Sequence, residues 1–312
     1  MRQELQNVTN EIQKAIVGKQ EVVEKILTTL LAGGHILLDD VPGVGKTTLA
    51  VALSHSLGLK YNRIQFTPDV LPSDIVGFSV YNKDLGGFEY RPGIVLDTNL
   101  LLGDEINRTS SKTQSALLEA MEERQITVDG NTYPLQQPFI VIATQNNVGT
   151  AGTQLLPYAQ IDRFMVRLSL GYPDFEAQMD ILRDRQSGDP MESVRPVLSR
   201  EDVLRMQAEV RAVRSADAIL SYITRLVMAS RDHPLTEIGI SPRGALFVDR
   251  CAKARAYLQG RDYVIGEDVQ AVFGDVCEHR LILSQKARLS GKGAADVIAD
   301  LLKTVTVPDR LF

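Results

Sequence analysis

The sequence predicts a two-part molecule: a five-stranded, mainly parallel α/β sheet with β-hairpin inserts over residues 1–172, followed by an all-helical domain over residues 173–312. Three observations carry this prediction. Short apolar runs alternate with stretches of helical period through the first half, as in a parallel sheet covered by crossover helices. A glycine-rich turn, Asp40-Val-Pro-Gly-Val-Gly-Lys-Thr47, joins the first of those runs to a helix. Beyond Gly171-Tyr172-Pro173 the strand signal stops and only helical periodicity continues.

Leu5, Val8, Ile12, Ala15 and Ile16 recur at helical spacing, and a second helical pattern runs from about Val22 to Leu31. The run from His35 to Asp39 is the first strand, and Thr47 to Leu57 the helix after the turn. Further buried-strand patterns lie at Ile64–Phe66, Asn99–Gly103, Phe139–Thr144 and Met165–Leu170, with a helix over Ser111–Glu123. Two hairpins interrupt this scaffold. One pairs Phe78–Tyr81 with Phe88–Tyr90 around Gly86-Gly87, the other Ile126–Val128 with Thr132-Tyr133 around Asp129-Gly130. In the second part, helices are predicted at about 175–186, 200–213, 217–231, 242–259 and 267–283.

Bulk properties narrow the function. At 312 residues the chain is long enough for two cores, and 44% hydrophobic with 23% charged residues is the composition of a soluble globular protein. With 34 basic against 39 acidic residues the net charge is −5, which argues against a polyanionic partner such as nucleic acid. The most apolar stretch, Ile26 to Leu38, is broken by Gly33-Gly34 and is shorter than the roughly 20 residues that span a bilayer. The amphipathic N-terminus carries no secretory signal, so a cytoplasmic location is expected. Cys251 and Cys277 lack CxxC spacing, and His35, His55, His233 and His279 lack metal-ligand spacing, so all six read as structural.

The turn at residues 40–47 fits the phosphate-binding GxxxxGK[ST] loop except that Asp40 stands at its first glycine. In that reading Val41, Gly43, Val44 and Gly45 turn backbone N–H groups toward phosphate oxygens, and Pro42, which has no N–H, belongs to the same nucleotide-binding loop. Lys46 reaches the outer phosphates, and Thr47 with Thr48 opens the helix, Thr47 also holding Mg²⁺. Asp40 is expected to supply the positive φ that glycine usually provides. Asn99-Leu-Leu-Leu-Gly-Asp104-Glu105 ends an apolar strand in two acids. Read alone, such a pair caps the following helix. With the phosphate loop upstream, Asp104 is read as a Mg²⁺ ligand and Glu105 as the group that orients the attacking water. Asn146 ends the next strand. A turn-forming asparagine accounts for it if read alone, whereas beside phosphates its amide can both donate and accept.

These motifs, in this order and with these inserts, resemble the MoxR family of AAA+ ATPases. The similarity is carried by Ile16-Val-Gly18, Phe66-Thr-Pro-Asp-Val-Leu-Pro-Ser-Asp74, Asp104-Glu-Ile-Asn-Arg108, Thr113 to Arg124, Thr144-Gln-Asn146, Ile161-Asp-Arg-Phe164 and Ser241-Pro-Arg243. The resemblance implies that Ile16, Val17 and Gly18 line the adenine pocket, and that Arg163 is an arginine finger reaching a neighbour's ATP. It also implies that Arg243 is a sensor closing the helical lid on the phosphates. Without the family, both arginines would be surface ion-pair partners. Local chemistry agrees for Arg243: Ser241 as N-cap and Pro242 at the first helical position put it in a helix's first turn. Arg163 precedes the Met165–Leu170 strand, at the end of the sheet opposite the phosphate loop.

The family further implies MgATP hydrolysis in a hexameric ring and chaperone-like remodelling or maturation of client proteins, including metal insertion, with a separate von Willebrand factor A domain protein as partner. A nucleic-acid-dependent motor and a slow nucleotide-switched scaffold are the rival readings. The mixed charge of hairpin residues 82–89 speaks against the first, and the intact Asp104-Glu105 pair against the second. Two positions depart from the family pattern, Tyr158 in place of Glu and Asn147 in place of Pro, both flanking a loop expected at the subunit interface.

Overall fold

A computed structural model describes residues 1–84, 86–146 and 156–308; Asn147 lies outside the described residues. The chain begins with α1 (Gln3–Gln13) and α2 (Gln20–Leu31), then β1 (Ile36–Asp39), α3 (Lys46–Ser56) and β2 (Tyr61–Gln65). A short α4 (Pro72–Val76) leads into the hairpin β3 (Gly77–Asn82) and β4 (Gly87–Pro92). There follow β5 (Leu100–Asp104), α5 (Ser111–Glu123), the hairpin β6 (Gln125–Val128) and β7 (Asn131–Pro134), β8 (Ile140–Gln145), α6 (Tyr158–Ile161) and β9 (Val166–Leu168).

The five strands β2, β5, β8, β1 and β9 lie side by side in that order, and every pairing is parallel. Parallel pairing requires covered faces, and the alternation of strand side chains supplies two of them. Ile36, Leu38, Leu100, Leu102, Ile140 and Ile142 enter one buried cluster with α1, α2 and α3. Leu37, Leu101, Val141 and Ala143 enter the other with Phe66, Leu117, Met121 and Phe164. Both hairpins form as expected and meet through stacked Tyr90 and Tyr133, whose ring centroids are 4.2 Å apart.

The second part contains α7 (Phe175–Ser187), α8 (Arg200–Ala212), α9 (Asp217–Asp232), β10 (Thr236–Ile238), α10 (Pro242–Leu258), α11 (Gly266–Cys277), β11 (Ile282–Leu283), α12 (Gln285–Leu289) and α13 (Ala294–Thr304). The helix expected over 267–283 therefore stops at Cys277. A 3₁₀ turn at Glu278–Arg280 and an antiparallel ribbon between β10 and β11 replace its end, because Arg280 is drawn inward by carbonyls described below. The helices of this lid continue the first buried cluster: Val203, Met206, Leu226, Val248 and Phe273 join it. Polar ties add to the packing, with Gln207 Nε2 donating to Leu30 O at 2.8 Å and Lys25 paired to Asp275 at 3.2 Å. Cys251 and Cys277 are buried free thiols, and burial raises the Cys251 pKa to about 12. Among the described residues no helix is long and apolar enough to cross a membrane.

Candidate functional site

The phosphate loop is shaped by two glycines in the left-handed region, Gly43 at φ +85° and Gly45 at φ +95°. A Cβ on Gly43 would meet nothing within 4 Å, so the backbone there faces open cleft. Gly45 is the N-cap of α3, and no side chain caps that helix, which leaves its first-turn amides directed at the cleft with the positive end of the helix dipole behind them. Lys46 Nζ donates to Asp40 O at 2.9 Å and Val41 O at 3.3 Å, placing its charge across the loop.

Asp40 does not do what its position in the motif suggests. It is absent from the positive-φ residues. Its buried carboxylate instead accepts from Ser169 Oγ at 2.7 Å, Leu170 N at 2.6 Å and Gly171 N at 3.0 Å. The residue at the motif's first position is thus a bracket tying the loop to the segment that leaves β9, a role that a glycine could not fill.

Beside the loop, β5 delivers Asp104 and Glu105, and β8 delivers Asn146, to the same cleft of about 400 Å³, with Thr47 and Gln65 on its walls. Glu105 is held at φ +56°, ψ +49°, a conformation that non-glycine residues adopt at some cost and that marks constrained functional positions. Its backbone N–H donates to Thr144 Oγ1 at 2.9 Å, and that hydroxyl donates to Asp104 Oδ1 at 2.6 Å. Arg63 donates to Asp104 Oδ2 at 2.7 Å. Gln65 and Arg108 both donate to Glu105 Oε2, at 2.9 and 2.7 Å. Asn146 is buried, and its carbonyl accepts from Asn107 Nδ2 at 3.2 Å.

The donor set fits magnesium. One carboxylate and one hydroxyl, Asp104 and Thr47, share the cleft with the phosphate loop, and Mg²⁺ ordinarily takes one or two protein oxygens and completes its shell with phosphates and water. Among the described residues there is no cluster of three or more metal-ligating side chains.

The cleft continues past Gly43, Gly45 and Thr48 into a second lobe of about 360 Å³, where Ile16, Val17, Val44, Tyr172, Pro173 and Ile181 supply apolar wall and Lys14, Lys19, Gln178, Asp184 and Arg185 polar and charged wall. A flat base in one lobe and phosphates in the other match the shape of a nucleoside triphosphate. Ile16 and Val17 line this lobe, and Gly18 is not among its lining residues. Gly18 turns the chain at φ +71°, and a Cβ there would come within 2.8 Å of Ala177 Cβ, so its function is to let α7 approach.

The two arginines lie elsewhere. Arg163 and Arg243 line a cavity of about 170 Å³ with Gly34, His35, Arg124 and Arg250. His35 precedes β1 and Asp40 follows it, so this cavity and the phosphate loop are separated by the length of a strand, roughly 15 Å at about 3.3 Å per residue. Arg163 Nε pairs with Glu122 at 3.1 Å; Arg243 also pairs with Glu122, and its Nη1 lies 3.7 Å from Asp162. The expectation that Arg243 closes the lid on its own phosphates is therefore corrected. α10 packs against α2, and its first turn meets Asp162, just ahead of β9, through Ser241 and Arg243, which puts its N-terminus at the amino end of the sheet. His35 is buried between α5 and β8. Its Nδ1 accepts from Val141 N at 3.0 Å and its Nε2 faces Met121 O at 3.1 Å; burial, aided by the charges of Arg124 and Arg250, pushes its pKa down to about 4.

Sequence reasoning did not single out Thr144, Arg63, Gln65, Arg108 as part of the acid network, or Tyr172 and Ile181 on the base lobe. For Thr144 a signal existed, a hydroxyl inside an otherwise apolar strand; for Arg63 and Gln65, polar alternation on an edge strand.

Comparison with known proteins gives the family and the fold. The ATPase family associated with various cellular activities (AAA) matches residues 35–166, and the AAA lid domain matches residues 228–301. The chain is 38% identical to the chaperone MoxR1 of Mycobacterium tuberculosis over 97% of this chain and 82% of that one. It is 32% identical to the protein MoxR of Methylorubrum extorquens, with 96% and 93% covered. A crystal structure of a Cytophaga hutchinsonii protein assigned as an ATPase superimposes with a TM-score of 0.91 at 38% identity, covering 99% of this chain and 96% of the other.

Proposed function

The chain belongs to the MoxR family of AAA+ ATPases, and from that premise we propose that it hydrolyses MgATP at a site completed by a second copy of itself. The carrying observation is the separation of parts within one subunit: phosphate loop and acids at the carboxyl end of the sheet, Arg163 and Arg243 at the amino end. Guanidinium groups that stabilise phosphoryl transfer must touch the γ-phosphate. The cavity holding these arginines therefore serves the cleft of a neighbour.

In this reading residues 1–172 are the ATP-binding core and 173–312 the lid. Ile16 and Val17 hold the base, and the amides of Gly43 to Thr48 with Lys46 hold the phosphates. Thr47 and Asp104 hold magnesium, which when bound neutralises charge on the β- and γ-phosphates. Glu105 accepts a hydrogen bond from water and aims it in line, while Asn146 steadies water and γ-phosphate together. Gln65 and Arg108 both hold Oε2, and the carboxylate keeps further acceptor sites for the water. A closed ring, hexameric in this proposal, repeats the heterologous contact at every interface.

The work done is chaperone-like remodelling or maturation of client proteins in the cytoplasm, metal insertion being one form of it, with a separate von Willebrand factor A domain protein as partner. The hairpin β3–β4 supports contact with polypeptide. Phe78, Val80, Tyr81 and Phe88 are exposed there, Phe88 at 78%, a concentration of apolar surface that marks interaction sites. Phosphate-release assays on a dilution series test the site: specific activity rises as rings assemble. Equal specific activity in dilute monomer and assembled protein would discard the shared site.

A further inference from the structure

We propose that Arg280 is the positioning residue that sets Arg163 and Arg243 for a neighbour's nucleotide; this rests on the shared-site reading above. Arg280 is fully buried in the 3₁₀ turn after α11, in the lid. Its Nη2 donates to Asp162 O at 2.9 Å and to Phe164 O at 2.6 Å, the carbonyls on either side of Arg163. Its Nη1 donates to Met165 O at 3.2 Å and to Val276 O. Nε lies 2.9 Å from Asp162 Oδ1, an ion pair without the alignment of a hydrogen bond.

Asp162 passes this contact on. Its other oxygen is 3.7 Å from Arg243 Nη1, and Ser241 Oγ, the N-cap of α10, lies 3.4 Å from both carboxylate oxygens. One buried guanidinium therefore grips the backbone around Arg163 and, through one carboxylate, the first turn that carries Arg243. Tyr158 belongs to the same joint: its hydroxyl donates to Arg280 O at 2.9 Å.

A buried charge is a poor means of joining two domains, because apolar residues of similar volume pack as well or better. A planar five-donor fork is suited to holding several carbonyls in fixed relative positions. The placement explains that choice of residue: the lid's orientation is transmitted to the backbone on which Arg163 stands. Displacing a group by about 1 Å can cost on the order of 10²-fold in rate, so losing the grip should be felt even with Arg163 and Arg243 intact.

The test is complementation within mixed assemblies, co-purified through two different tags. Arg280→Gln should lower turnover on the order of 10²-fold while binding a fluorescent ATP analogue like the wild type, because its own cleft is untouched. Mixed with Glu105→Gln, which keeps the arginine side intact, it should recover activity about tenfold or more above either parent. Mixed with Arg163→Ala it should not recover, since both lack a working arginine side. The isosteric Asp162→Asn protein leaves the buried Arg280 charge without its carboxylate, so its fold is checked by thermal midpoint; folded, it should show the same pattern with a smaller loss. The control pair Arg163→Ala with Glu105→Gln reports on the shared site itself: without recovery there, that reading falls and this one with it. Recovery in the control but not with Arg280→Gln and Asp162→Asn would reduce Arg280 to a packing residue. Recovery with Arg163→Ala would assign Arg280 to its own cleft and overturn the proposal.

Discussion

The two ends of the central sheet are built from opposite materials. At the carboxyl end, backbone amides, Lys46 and two acids surround a cleft of about 400 Å³, and each acid is held by side chains of β2 or of the turn after β5. At the amino end, Arg124, Arg163, Arg243 and Arg250 line a cavity of about 170 Å³ in which Glu122 is the acidic wall residue. A cleft made to hold phosphate and a cavity rich in phosphate-seeking groups face away from each other in one chain. In the proposed ring, stacking identical subunits head to tail brings them together.

The largest effect expected from this contrast is at the amino end. Arg163→Ala should lower turnover by about 10³-fold or more, as loss of an arginine finger does, with unchanged ATP binding at its own cleft. Weakened binding to the same subunit, seen by fluorescence titration of a monomeric preparation, would break the comparison by returning Arg163 to the carboxyl end. Next in size, Glu105→Gln should retain nucleotide while losing about 10²–10⁴-fold in turnover, whereas Lys46→Ala should lose binding. Undiminished phosphate release by the Glu105→Gln protein would remove that residue from its role.

The two ends should also differ in their response to acid. His35, at the amino end, is neutral and buried with its pKa near 4, against about 6.5 unfolded. Because the unfolded chain takes up a proton that the folded one refuses, the stability this group contributes is fully present above pH 6.5 and declines as pH falls toward 4. At pH 5 the loss is about 2 kcal/mol, and the buried, similarly depressed His279 adds loss of the same sign. Urea midpoints at pH 7.5 and pH 5.0 measure it; coincident midpoints would mean that His35 is solvated. The smallest effect concerns the approach of α7 to the base lobe. Gly18→Ala should cost about 1 kcal/mol, because φ is +71° and the added carbon meets Ala177. A thermal midpoint equal to wild type would show that α7 can retreat without loss.

Much of this was readable beforehand, for identifiable reasons. The turns at Gly43 and Gly45 and the helix start at Lys46 are contiguous in the chain, so the motif states them. The two sheet faces follow from alternation, since neighbours such as Leu37 and Leu38 must point opposite ways. The strand beginning after Arg163 already placed that residue at the amino end. The ribbon β10–β11 was missed because strands of two and three residues carry no periodic signal against a helical background.

What the sequence by itself determined is the chemistry that local backbone can express: a phosphate loop, two acids at a strand end, a helix opened by Ser241 and Pro242. What only the tertiary structure decided is which groups far apart in the chain meet. Asp40 brackets residues 169–171, Gly18 yields to Ala177, and Arg243 turns to Glu122 instead of to its own phosphates. The physical reason is common to all three. A short-range motif limits backbone angles and helix starts, but which partner a charged side chain meets, and which element closes on a bare glycine, depends on what packing brings close. Here those partners lie more than a hundred residues away along the chain.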